Sequence, residues 1–100
     1  MATTTKVLAR TAAATSSTTL YTVPASTTTV VTNIGVTNTA GSAGTFTIAL
    51  NGVALHTTTA VAANSTVYID LKQVLSATQT ITGLASATTI NFHISGVEIA

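Results

Sequence analysis

Only five of the hundred residues are charged, against roughly 25% in an ordinary soluble domain. The formal net charge is +1, far from the dense positive charge that tracks phosphates by counterion release, so a nucleic-acid partner is not expected. Cysteine is absent, which excludes a disulfide framework and thiolate metal ligation. Tryptophan is absent and the aromatics are limited to Tyr21, Phe46, Tyr68 and Phe92; they do not interleave with basic residues as a base-stacking platform would. No apolar run approaches the roughly 18 residues of a membrane span, so no membrane partner is expected. Lys6 and Arg10 flank only Val7, Leu8 and Ala9, too short for the apolar centre of a secretion signal.

What is abundant is threonine, about a quarter of the chain, within a composition that is 46% hydrophobic. Threonine, valine and isoleucine lose side-chain freedom in helices and pack well on a pleated surface, so the composition points to strands. The period agrees. Phe46, Ile48 and Leu50 alternate with small or polar residues, as do Val67, Ile69 and Leu71, and Ile90, Phe92 and Ile94, the signature of strands with one buried face. Other strands are expected at Lys6 to Arg10, Thr19 to Thr22, Thr27 to Asn38 and Gln79 to Thr82.

Asn51-Gly52 between two alternating runs predicts a hairpin with a type I′ turn, because both residues tolerate positive φ. Its register would set Leu50 against Val53, Ala49 against Ala54, Ile48 against Leu55, Thr47 against His56 and Phe46 against Thr57. Near the C-terminus the apolar positions change from even to odd across Ser95-Gly96. A bulge there, with Gly96 left-handed, would keep Val97 and Ile99 inward and turn Glu98 outward beside Asn91 and His93. Turns are expected at Ala40 to Gly44, Ala62 to Ser65 and Gly83 to Ala87, with one helical turn at Lys72 to Leu75.

About eight short strands at ten-residue spacing predict an all-β fold: an antiparallel two-sheet β-sandwich, jelly-roll or immunoglobulin-like. Residues 1–17 read as an N-terminal arm or first short strand, and 18–100 as the sandwich domain.

Chemistry is thinly represented. The acids are Asp70 and Glu98 and the histidines His56 and His93, too few for a metal site within one chain. No G-x-S-x-G elbow occurs, and Gly41-Ser42-Ala43-Gly44 lacks the lysine of a phosphate loop. The threonine triplets have no fixed period, so cross-strand threonine pairs explain them better than a ranked ice-binding face. No catalytic, cofactor or metal residue is expected, and the reading is non-enzymatic.

The segments Lys6-Val7-Leu8, Thr19-Leu20-Tyr21-Thr22-Val23-Pro24-Ala25, Val30-Val31-Thr32-Asn33-Ile34 and Phe92-His93-Ile94-Ser95-Gly96-Val97-Glu98-Ile99-Ala100 resemble small structural proteins of tailed bacteriophages. The resemblance spans nearly the whole chain and is most specific in the L-Y-T-V-P-A and G-x-E-I segments. It implies a virion component assembled in the host cytoplasm. The expectation is a capsid decoration, or cement, protein on the outer capsid surface that bridges major capsid subunits. A homo-oligomer is expected, a trimer suiting quasi-three-fold positions. A neck, collar or tail-associated protein and a host-surface adhesin module are the alternatives. The candidate contact residues are Lys6, Val7, Leu8 and Arg10 on the arm, the tyrosines Tyr21 and Tyr68, the histidines His56 and His93, and Glu98.

Overall fold

The computed structural model describes residues 2–100. The chain alternates strand and turn throughout: β1 (Thr3–Ala12), β2 (Thr18–Thr22), β3 (Thr28–Asn38), β4 (Gly44–Leu50), β5 (Val53–Val61), β6 (Ser65–Leu75), β7 (Thr80–Ala85) and β8 (Ile90–Ile99). Asn51 and Gly52 both have positive φ, 51° and 78°, as a type I′ turn requires. Everything else is arranged around that turn. β4 pairs with β5, β3 with β6, β2 with β7 and β1 with β8, so that Leu50 meets Val53, Asn38 meets Ser65, Thr22 meets Thr80 and Thr3 meets Ile99. The protein is one long antiparallel hairpin centred on Asn51-Gly52, rolled up on itself.

Rolling closes two further ladders, β3 with β8 and β4 with β7. The result is two four-stranded antiparallel sheets, β1-β8-β3-β6 (the β1 sheet) and β2-β7-β4-β5 (the β2 sheet). This strand order is that of a jelly roll, two interlocked Greek keys, and it decides between the two sandwich topologies that the strand spacing allows. Phe46 and Phe92 meet edge to face between the sheets, with centroids 6.3 Å apart, a geometry that aligns ring edge with ring face. Ile34, Ile48, Ile81, Ile90, Ile94, Val31 and Val36 fill the space around them with no measurable exposure. Val67, Ile69 and Leu71 point inward from β6, an edge strand, and are half-buried.

Four local expectations are corrected. Residues 72–75 continue β6 as strand in place of a helical turn, because β3 offers Val30 and Thr29 as ladder partners for Val74 and Leu75. Gly83 to Ala85 belong to β7, so the turn there begins only at Ser86. The hairpin register holds for Leu50-Val53 and Ala49-Ala54 but then slips, so that Ile48 opposes His56 and Phe46 opposes Thr59. Thr58, with φ 48°, donates its amide to Thr47 Oγ1, an irregularity that the turn sequence alone does not reveal.

The fourth concerns β8. Its even residues stay inward from Ile90 through Gly96, and Val97 and Ile99 face out. The extra residues sit in its neighbours at the same height: Leu8 in β1 and Thr32 in β3. Gly96 is not left-handed. It is glycine because a Cβ there would collide with the Val30 carbonyl oxygen and stand 2.9 Å from Leu8 Cδ1. The bulged strands close over it.

Candidate interaction surface

Residues 3–12 form the edge strand β1, paired along its length with β8. Of the two readings of residues 1–17, the strand describes what is seen, with ten residues in place of a short run; Met1 lies outside the described residues. Leu8 and Ala9 are buried in the core, whereas Val7 is 45% exposed. Leu8 therefore serves packing, and only Val7, Lys6 and Arg10 of the N-terminal candidates are available to a partner.

Tyr21 and Glu98 are also turned inward. Thr4, Glu98 and Thr29 lie in one inward-facing row across β1, β8 and β3. Tyr21 reaches that row from the opposite sheet and donates its hydroxyl proton to the Glu98 carboxylate. Thr29, fully buried, places Oγ1 2.9 Å from the Tyr21 hydroxyl oxygen and donates to it, since the tyrosine proton is already committed. Lys6 adds an ion pair, Nζ to Oε1 3.3 Å, the only one among the described residues. Burial first, and the Glu98 hydrogen bond second, hold the Tyr21 hydroxyl above its ordinary pKa. The Tyr21 hydrogen bond, followed by Lys6, holds the Glu98 carboxyl below the usual carboxylate range. Tyr21 and Lys6 thus converge on the Glu98 carboxylate while Thr29 holds the tyrosine, and the four side chains link four strands of both sheets. This corrects the outward placement of Glu98: it is a clamp within the fold, as is Tyr21.

The histidines are far apart in the fold. His56, on β5, packs its ring 5.5 Å from Phe46 and places Nδ1 3.2 Å from Thr59 Oγ1. His93 is exposed on the outer face of the other sheet. The two do not share a site. Among the described residues no three His, Cys, Asp or Glu side chains come together.

What the register does assemble is the outer face of the β1 sheet. One row across it reads Tyr68, Gly35, His93, Arg10, and the next reads Asp70, Asn33, Ser95, Val7. Beyond the bulges the row is Val74, Val30, Val97, Thr5, and the last is Thr28, Ile99, Thr3. The face is divided. One end carries Tyr68, His93, Arg10, Asn33 and Asp70. The other is aliphatic, with Val74 63% exposed and Val30, Val97 and Ile99 half-exposed; Lys72, exposed on β6 between Asp70 and Val74, stands at the border between the two ends. Beside Val7 and Val97 the bulge row leaves a shallow hollow of about 380 Å³, lined also by Thr5, Lys6, Thr32, Ser95 and Gly96.

The aliphatic end escaped sequence reasoning because Val97 and Ile99 read as core. The available signal was adjacency. Val30-Val31 and Val74-Leu75 place apolar side chains on consecutive positions, and consecutive positions of a strand face opposite ways. Such a strand is apolar on both faces. No protein-family model matches the chain, and no curated protein matches it in sequence.

Proposed function

We propose that this chain is a virion structural protein of a tailed bacteriophage, a capsid decoration protein that docks on major capsid subunits as a symmetric oligomer. The observation that carries the reading is the contiguous aliphatic end of the β1 sheet's outer face, Val7, Val30, Val74, Val97 and Ile99. Exposed apolar patches rimmed by polar residues mark interaction sites in soluble proteins. The rows of Val30 and Ile99 carry no charged side chain, and Lys72 lies only at their border beside Val74, so little desolvation opposes their burial. Repeated over a shell, contacts of modest strength become a lasting attachment through multivalency.

Two further features support the reading. The jelly roll is an architecture that viral capsid domains use, along with lectins, and this is support by analogy of fold. The two most specific segments of the phage resemblance, around Tyr21 and around Glu98, also meet in space at the Tyr21-Glu98 hydrogen bond.

The test is a Val74→Lys variant incubated with particles lacking the protein. Val74 lies on an edge strand where lysine is well tolerated, so its melting temperature should stay close to wild type while occupancy on particles falls. Wild-type occupancy of this variant sinks the docking face. Copy number per virion then separates a decoration protein, present in proportion to capsid subunits, from a neck or collar component limited to one ring. Removing residues 1–17 is a poor test, since it strips an edge strand and the buried Leu8, Ala9 and Ala13 from the core.

A further inference from the structure

Of the chain's five charged residues and two histidines, Arg10, Asp70, Lys72 and His93 share one outer sheet face with an exposed tyrosine. Tyr68 is 72% exposed and leans across β3: a Cβ built on Gly35 would lie 3.1 Å from Tyr68 Cε1 and 3.7 Å from His93 Cβ. An aromatic ring covering a strand glycine has a packing role. That role asks nothing of its neighbours, yet His93 and Arg10 continue the row on one side while Asp70 and Asn33 begin the next. In a chain almost without charge, this is the one surface where an aromatic ring, an amide, a carboxylate and a guanidinium lie together.

We propose that this patch binds a saccharide, and that its preferred ligand is a glycan carrying a carboxylate. The solvent-facing side of the Tyr68 ring is a flat apolar platform with a negative face, which suits the C–H face of a pyranose. Asp70 and Asn33, a row away, accept hydrogen bonds from ring hydroxyls, and the Asn33 amide donates one. Arg10 and Lys72 both lack an ion-pair partner among the described residues, and of the two only the planar fork of Arg10 matches a carboxylate in a bidentate way. With strands about 4.8 Å apart, the Arg10 and Tyr68 backbones are separated by about 14 Å across the sheet. The acidic residue of the glycan therefore lies towards β1 and a neutral ring lies on Tyr68. The acidic residue stays clear of Asp70, which sits on β6. Complementary charge favours this ligand over a protein surface, which the aliphatic end of the same face fits better. Docking through that end leaves the Tyr68 end open to solvent.

The test is titration of the full-length protein with sialyllactose, digalacturonate and lactose, followed by NMR chemical-shift changes. The expected result is saturable binding, tighter for an acidic glycan than for lactose, with shifts centred on Tyr68 and His93. Tyr68→Ala should abolish it, and Tyr68→Phe, which keeps the ring over Gly35, should retain it. Arg10→Gln should remove the preference for the acidic glycan and leave lactose binding in place. Absence of saturable binding to all three sugars overturns the proposal, as does undiminished binding by a folded Tyr68→Ala protein. If Tyr68→Ala fails to fold, Arg10→Gln and Asn33→Ala decide, and wild-type affinity and preference in both overturn it. Loss of capsid attachment in Tyr68→Phe without any sugar binding would assign the patch to a protein contact and overturn it equally.

Discussion

Adding a single methyl group at Gly96 should destabilise the fold, and the structure says why. Gly96 lies on β8 between Lys6 on β1 and Val31 on β3, at the height where both neighbours bulge. The new Cβ would meet Leu8 Cδ1 at 2.9 Å, which a change of rotamer relieves, and the Val30 carbonyl oxygen, which it does not. Val30 is laddered to Val97 on one side and Val74 on the other, so its carbonyl cannot retreat without breaking a sheet. Overpacking of this kind costs about 1–3 kcal/mol, a large part of the roughly 5–15 kcal/mol that holds a domain of this size. At about 4–8 °C per kcal/mol the melting temperature should fall by roughly 5–20 °C. Gly41→Ala is the matched control: nothing lies within 4 Å of its Cβ, and its backbone is not left-handed. It should be neutral, or stabilising by about 0.4–1 kcal/mol through the unfolded chain. Thermal and urea unfolding followed by circular dichroism, at one protein concentration for all variants, reads both. A Gly96→Ala protein that melts at or above the wild-type temperature would refute the close approach and with it the bulge row.

At the centre of the hairpin, Gly52→Ala should cost about 1–2 kcal/mol although space is open around it, because φ 78° is left-handed backbone that a Cβ resists. Urea unfolding should show a lower midpoint with an unchanged m-value. Phe92→Ala, which removes a fully buried ring from between the sheets, should cost about 3–5 kcal/mol, checked by the same unfolding curves. The Glu98 clamp predicts a pH dependence. Its folded pKa is depressed, so its contribution is present above the ordinary carboxylate range and lost as pH falls through the folded value. Wild-type melting temperature should therefore drop on acidification from about pH 5, and Glu98→Gln should start lower and flatten that limb. Tyr21 has the opposite sign: its folded pKa is raised, so its contribution is complete below about pH 10 and fades only above.

Much of the fold is legible because threonine-rich strands carry a clean two-residue period. Phe46, Ile48, Ile90, Phe92 and Ile94 are the core that the alternation assigns, and Asn51-Gly52 turns as its chemistry demands. The errors cluster where a residue's role depends on a strand far away in sequence. Glu98 faces inward because Tyr21, 77 residues earlier, supplies a hydrogen bond and Lys6 a charge. Gly96 is small because Val30 crowds it, not because its own backbone needs freedom. Leu8 and Tyr21 are buried, in place of the surface contacts expected of them, for the same reason: their partners lie on other strands.

By itself the sequence determined the all-β architecture, the central turn and most of the buried face, since backbone preference and side-chain alternation are local properties of the chain. Only the tertiary structure decided how the hairpin rolls, which strands carry the bulges, and which residues end side by side on the outer face of the β1 sheet. Tyr68, Gly35, His93 and Arg10 are spread over 84 residues of chain, from 10 to 93, and become one row only through the β6-β3-β8-β1 register. No local preference encodes such a neighbourhood, because it arises when the closed roll fixes three ladders at once.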